Sequence, residues 1–176
     1  MSMIKTRVLV AVLAFSASGL VGLAISESYT DTAVIPVPGD RPTIGFGSTD
    51  GVKLGDKITP PAALARALQD VQKYEGAIKQ CVKVLLYQHE YDAYTQLAYN
   101  IGERAFCEST LVRELNAGRY ESACLHIRDF ICGPATESTR AKPGAKCYYA
   151  DRRLRIIPGL VARREREAQL CLKGPA

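Results

Sequence analysis

The 176-residue chain has no Trp, and only 7% of it is aromatic. No two of its six Cys stand in a C-x-x-C pair, and neither His89 nor His126 keeps ligand spacing to a Cys, which argues against a zinc site. No internal repeat is evident, and the length suits one ordinary domain. Acidic residues are scarce toward the C-terminus. Residues 140–173 hold ten Lys/Arg against three Asp/Glu, which leaves the rest of the chain near −2 within a net charge of +5. Such a basic end suits an anionic partner, whether nucleic acid, anionic lipid or an acidic wall polymer. A solvated basic helix face accounts for the same charge equally well. With 47% apolar and 23% charged residues the balance is globular, not disordered.

Charge is also missing from residues 8–25, "VLVAVLAFSASGLVGLAI", eighteen residues long and preceded by Lys5 and Arg7. That length and those flanking cations fit a short membrane span or a long signal-peptide core, with the remainder sent outward. Two readings stand. Ala24 and Ser26 form a small-x-small cleavage site just before Glu27. Alternatively the segment is an uncleaved, weakly held anchor. About half of it is Ala, Gly or Ser, whereas strongly apolar residues gain only about 0.3–0.6 kcal/mol each on insertion. In an exported chain an even Cys count favours disulfides, and six Cys allow fifteen connectivities.

Beyond Glu27, "TAVIPVPGDRPTIGFGST" reads as a hairpin around "PGDRP", with Gly45 and Gly47 permitting close approach of backbone to a neighbour or ligand. Thr59 and Pro60 then start a long helix of about 23 residues, about 35 Å, whose apolar positions keep 3–4 spacing. Further helices are expected over "QHEYDAYTQLAYNIG", "STLVRELNAG", "RYESACLHIRDFIC" and "GLVARREREAQLCL", with residues 133–147 as a polar loop. The pattern predicts an α+β fold: a small β-hairpin lobe, a long connecting helix and a mainly helical lobe.

A Glu at a helix end facing a Thr-bearing hairpin suits cleavage of a glycosidic bond. The acid that protonates the leaving oxygen works best in a partly apolar setting, which Ile25, Tyr29 and Ile44 are candidates to supply. A second carboxylate or a positioned water must meet the oxocarbenium charge, and the Thr43 hydroxyl can hold such a water. By spacing alone, Glu27 is as readily a juxtamembrane charge and "TIGFG" an ordinary strand.

Glu27 followed by "TIGFGST", then "TPPAALARALQDV", "LYQHEYDAYTQLAYNIG", "FCESTLVRELNAGRY" and "PGLVARREREAQLC", resembles the phage lysozyme (muramidase) family of endolysins, in order, over most of residues 26–172. With its apolar N-terminus the chain looks like the signal-arrest-release subgroup. The resemblance implies a lysozyme-like fold, a signal-anchor helix over 1–26 and a catalytic domain over 27–176. It implies hydrolysis of the β-1,4 bond between N-acetylmuramic acid and N-acetylglucosamine in peptidoglycan, causing host lysis. It implies no cofactor, metal or nucleic-acid partner, and a monomer. The location implied is the periplasmic side of the host inner membrane, held by residues 8–25, and then the periplasm. The family places its acid at a Glu, an Asp nine residues on and a Thr six beyond. Glu27 and Thr43 fit the outer roles. The middle one falls at Pro36 or Val37, where no carboxylate stands. Asp40 in the hairpin turn is the nearest substitute and Asp31 the next. A site with Glu27 and a Thr43-held water alone, a lytic transglycosylase and an inactive wall-binding protein complete the alternatives. The family often carries Cys near Cys81, Cys107, Cys124 and Cys171, and Cys132 pairs with Cys147 across what looks like an insertion. Arg152, Arg153, Arg155, Arg163, Arg164 and Arg166 either meet acidic stem peptides or form a solvated face.

Overall fold

The computed structural model describes residues 6–36, 41–134 and 154–173. Two lobes share one long helix. The small lobe is an antiparallel pair, β2 (Thr30–Val34) and β3 (Thr43–Gly45), with Thr30 opposite Gly45 and Val34 opposite Thr43. Its own core is Ala33, Ile44 and Val52, with Ile58 packed against it. From there α2 (Pro60–Cys81) runs into the helical lobe. That lobe consists of β4 (Leu85–Leu86), α3 (Gln88–Ile101), α4 (Glu103–Cys107), α5 (Thr110–Asn116), α6 (Tyr120–His126) and α7 (Pro158–Lys173). The short pair β5 (Cys132–Pro134) and β6 (Leu154–Ile156) precedes α7.

Two helix ends fall where the sequence says they should, whereas the helix expected over "RYESACLHIRDFIC" stops at His126, short of a 3-10 turn at Ile127–Asp129 and the strand at Cys132. Gly102 closes α3 with φ 88°, and the Ser109 hydroxyl caps α5 by accepting from Val112 N at 3.2 Å. α3 is buried along most of its length, and Tyr91, Tyr94, Leu97 and Ala98 are fully enclosed. Two disulfides staple this lobe, Cys81–Cys107 and Cys124–Cys171, closing loops of 26 and 47 residues. Loops of these lengths are worth about 3–4 kcal/mol each by chain entropy. Cys132 is also disulfide-bonded, whereas Cys147, its expected partner, lies outside the described residues, as does most of the polar loop.

The N-terminal segment departs from expectation. It is not one helix but β1 (Val8–Leu9), a 3-10 turn at Val10–Val12, and the eleven-residue α1 (Ala17–Glu27). No helix among the described residues is long and apolar enough to cross a membrane. The break is centred on Ser16, which caps locally and is held by Asp92, 76 residues away. Ser16 caps α1 by accepting from Gly19 N at 3.0 Å, so the run is divided by its own serine.

The segment lies on the helical lobe instead. Val8 and Leu9 pair antiparallel with Leu86 and Leu85. Val10, Leu13 and Leu23 are buried, each worth about 1.5–3 kcal/mol of transfer free energy. Three carboxylates of α2 and α3 receive its polar atoms. Phe15 N donates to Glu75 at 2.8 Å, and Ser16 donates to Asp92 from N at 3.0 Å and from Oγ at 2.6 Å. Arg7 forks onto Glu90 at 2.7 and 3.1 Å, with its guanidinium over the rings of Tyr87 and Tyr120.

Asp92→Ala deprives the Ser16 N–H of its acceptor. It should cost about 1.5–3 kcal/mol in urea unfolding, the weight of a hydrogen bond to a charged group, and should expose residues 6–27 to protease. Unchanged stability and protection would mean that apolar contacts alone hold the segment.

Candidate active site

Glu27 is the last residue of α1. The chain bends hard after it: Ser28 has φ 60°, the single positive φ outside glycine among the described residues. Such a conformation costs on the order of 1–3 kcal/mol and concentrates at functional sites.

The turn of the "TIGFG" stretch closes on Glu27. Ile44 and Ser48 exchange backbone hydrogen bonds at 3.0 and 3.1 Å across it. Gly45 has φ 65°, and a Cβ there would stand 2.9 Å from Ala63 Cβ of α2. Gly47 has φ 93°, and a Cβ there would stand 3.4 Å from Glu27 Oε2. One glycine lets the turn rest on the long helix and the other lets it rest beside the carboxylate. Two side chains fix the turn from below. Tyr99 donates to Phe46 O at 2.9 Å, and burial pushes its phenol up, so it stays a neutral donor. Ser48, 2% exposed, donates to Asp70 at 2.5 Å. A polar notch of about 90 Å³ opens beside Gly47, between Thr49, Asp50, Asp70 and Lys73.

On its other side Glu27 meets α7. Arg163 donates to Glu27 Oε1 and, through Nε at 3.0 Å, to Glu167. Arg164 donates to Glu167 at 2.7 Å and to Asn100 at 2.9 Å. Burial works against the charge on Arg163, but Glu27 and Glu167 outweigh it and hold its pKa raised. Arg164, with less compensation, is pulled down to about 10 by burial, the neighbouring Arg163 adding to the effect. Burial pushes the Glu167 carboxyl up despite its two guanidinium partners.

The expected residues separate here. Glu27 lies between the lobes. Thr43 is half-buried in the hairpin ladder, and its hydroxyl donates to Arg41 O at 3.2 Å; no hydrogen bond joins it to Glu27 among the described residues. Asp31 is exposed in β2. Asp40 lies outside the described residues. The apolar setting expected from Ile25, Tyr29 and Ile44 does not form. Ile25 is 74% exposed, Ile44 is buried in the hairpin core, and Tyr29 packs on Phe46 and donates to Ile58 O. The carboxylate's partner is a guanidinium instead. Arg163 and Arg164 thereby leave the set expected to be solvated or to bind stem peptides, because both are buried. Their roles were missed, although their i, i+4 and i, i+3 spacing to Glu167 was a readable sign of a paired helix face.

Arg163→Gln leaves Glu27 and Glu167 without their shared counter-charge. It should lower stability by about 3–5 kcal/mol, as for other broken buried pairs, measured by urea unfolding. A loss near zero would mean that water replaces the pair without cost.

Residues 24–167 match the family model described as Phage lysozyme. Among relatives, an endolysin of Acyrthosiphon pisum secondary endosymbiont phage 1 is 33% identical over 130 residues, covering 74% of this chain and 79% of that one. A SAR-endolysin of Pseudomonas phage phiKMV is 37% identical over 116 residues, 65% of this chain and 68% of that one. Among solved structures, the endolysin from Escherichia coli O157:H7 phage FAHEc1 superposes with a TM-score of 0.77 at 27% identity, over 97% of this chain and 98% of that one. The two lobes, the joining helix and a carboxylate set under a glycine turn between them are thus those of a lysozyme-like fold, and the chain belongs to the phage lysozyme family, as a glycoside hydrolase of the muramidase kind.

Proposed function

We propose that this enzyme hydrolyses the β-1,4 bond between N-acetylmuramic acid and N-acetylglucosamine in peptidoglycan, as an endolysin of the signal-arrest-release type. The observation that carries the reading is Glu27, held at the end of α1 by Arg163 against the Gly47 turn, where a glycan chain would cross between the lobes. Glu27 protonates the glycosidic oxygen. Asp40, or Asp31 in its place, meets the developing charge, and Thr43 positions the attacking water. The empty family position at Pro36 or Val37 favours one rival: a lytic transglycosylase needs only the acid, and it leaves anhydro-sugar ends.

Glu27→Gln should lower turnover by at least about 10²–10⁴-fold, the usual weight of general acid catalysis, in clearing of isolated cell wall. Asp40→Asn should lose activity while Asp31→Asn keeps most of it; the reverse result moves the role to Asp31. Mass spectrometry of the released muropeptides separates reducing ends from anhydro ends.

Residues 1–26 act as the tether and residues 27–176 as the catalytic domain, a division of function. In a bilayer-spanning state Arg7 would lie across the membrane from Glu90. It could not then make the fork it makes here. Cleavage before Glu27 would remove Leu13 and Leu23 from the protein and take the Phe15 and Ser16 donors from Glu75 and Asp92. Both points support an uncleaved segment that leaves the membrane and docks. Gly19 and Gly22 are poor places to test this. A Cβ at Gly19 would stand 2.7 Å from Phe15 and 3.1 Å from Asp92, and one at Gly22 3.1 Å from Gln96. Larger residues there would disturb the docked state as well as the anchor.

Ala11, Ala14 and Ala17 are exposed in the docked segment. Changing all three to Leu should strengthen anchoring by about 1–2 kcal/mol on insertion scales and delay lysis, with the soluble fold intact. N-terminal sequencing of the soluble enzyme should read from the start of the chain; a start at Glu27 would overturn tethered release.

A further inference from the structure

The carboxylate of the site and the turn beside it are held by different lobes. Glu27 is fixed to the helical lobe through Arg163 of α7. The Gly47 turn belongs to the hairpin of the small lobe, whose ladder shifts register between Thr30 and Val34. Gly45 and Gly47, both at positive φ, lose more freedom on ordering than any other residue type. The turn closes on itself through the backbone pair between Ile44 and Ser48. The Tyr29–Phe46 ring contact lies within the small lobe. The gap between Glu27 and the hairpin is therefore set by what ties the turn to the rest of the molecule.

Among the described residues, two side-chain hydrogen bonds do so, one on each side of Gly47. Ser48 donates to Asp70 of α2, the helix common to both lobes. Tyr99 of α3 donates to Phe46 O at 2.9 Å. Of the two, the Tyr99 bond is the one that reaches over from the helical lobe. Its ring is braced by Tyr74 of α2, with centroids 5.3 Å apart and planes at 58°. The phenol also borders Gly47. The point where a Gly47 Cβ would stand is 3.7 Å from the Tyr99 hydroxyl and 3.4 Å from Glu27 Oε2.

We propose that Tyr99 is a positioning residue for glycosidic cleavage: its hydrogen bond to Phe46 O is a strut between the lobes that sets the distance from Glu27 to the Gly47 turn, and so to the sugar held there. The role rests on Glu27 as the acid. It does not depend on which group meets the developing charge or on which product forms. A strut acts on alignment at the reacting centre, where a misplacement of about 1 Å can cost about 10²-fold in rate.

Tyr99→Phe keeps the ring and its contact with Tyr74 and removes only the hydroxyl. On soluble peptidoglycan fragments it should lower kcat at least about tenfold and leave KM unchanged, with a native circular dichroism spectrum. Tyr99→4-aminophenylalanine keeps an N–H donor and should restore kcat. Hydrogen exchange at the Ser48 amide, which bonds Ile44 O, should quicken in Tyr99→Phe and slow again in the amino variant. A role confined to stability would leave kcat of the folded enzyme where it was. Unchanged kcat in Tyr99→Phe, a loss that the amino variant fails to restore, or unchanged exchange at Ser48 would each overturn the strut. Glu27→Gln measured in parallel keeps the two readings apart. If it stays active, the acid assignment fails and the strut fails with it. An inactive Glu27→Gln beside a fully active Tyr99→Phe removes the strut alone.

Discussion

The ion pair between Arg163 and Glu27 joins α1 to α7, across 136 residues. Neither helix places the carboxylate alone. α1 supplies it at a helix end, and α7 supplies the guanidinium that stops it from collapsing onto the hairpin or swinging into solvent. Because the pair is largely shielded from water, with side chains 7% and 14% exposed, its geometry is costly to lose and the alternatives are few. The rest of the fold can be viewed as support for that pair. α3 underlies both helices, the Cys124–Cys171 bond holds α7 to α6, and the carboxylates of α2 and α3 hold the root of α1.

The same residues that make the N-terminal segment a poor membrane anchor let it lie on a protein. Gly19 and Gly22 bring the α1 backbone close to Asp92 and Gln96, where any side chain would intrude. Ser16, costly in a bilayer, becomes a helix cap and a donor to Asp92. A sequence of pure Leu would anchor better and dock worse. The small residues that would weaken a span on insertion scales are the ones that let α1 pack closely here.

Much of the scaffold was legible because it obeys short-range rules. Thr59 before α2, Pro60 at its start, Ser109 before α5 and Gly102 after α3 act within a turn of where they stand. The hairpin and the close approach at Gly45 and Gly47 were legible for the same reason. What was not legible depends on distant partners. Eighteen uncharged residues look like one helix until Asp92, 76 residues away, takes up Ser16. Arg163 and Arg164 look like surface charge until Glu27 and Asn100 are folded against them. Glu27 itself was found, but with a cation beside it where apolar side chains were expected, since nothing local tells which way Ile25 faces.

Chain order adds a matter of timing. α1 leaves the ribosome well before the helices it packs against. At about 5–20 residues per second, α3 is complete roughly 4–15 s after α1, and α7 roughly 7–30 s after it. Throughout that interval Val10, Leu13 and Leu23 have no core to enter, and Glu27 has no counter-charge from the same chain. Whatever apolar surface the cell presents first has the earliest claim on the segment. The helical lobe competes for it only once α3 and α7 have been made.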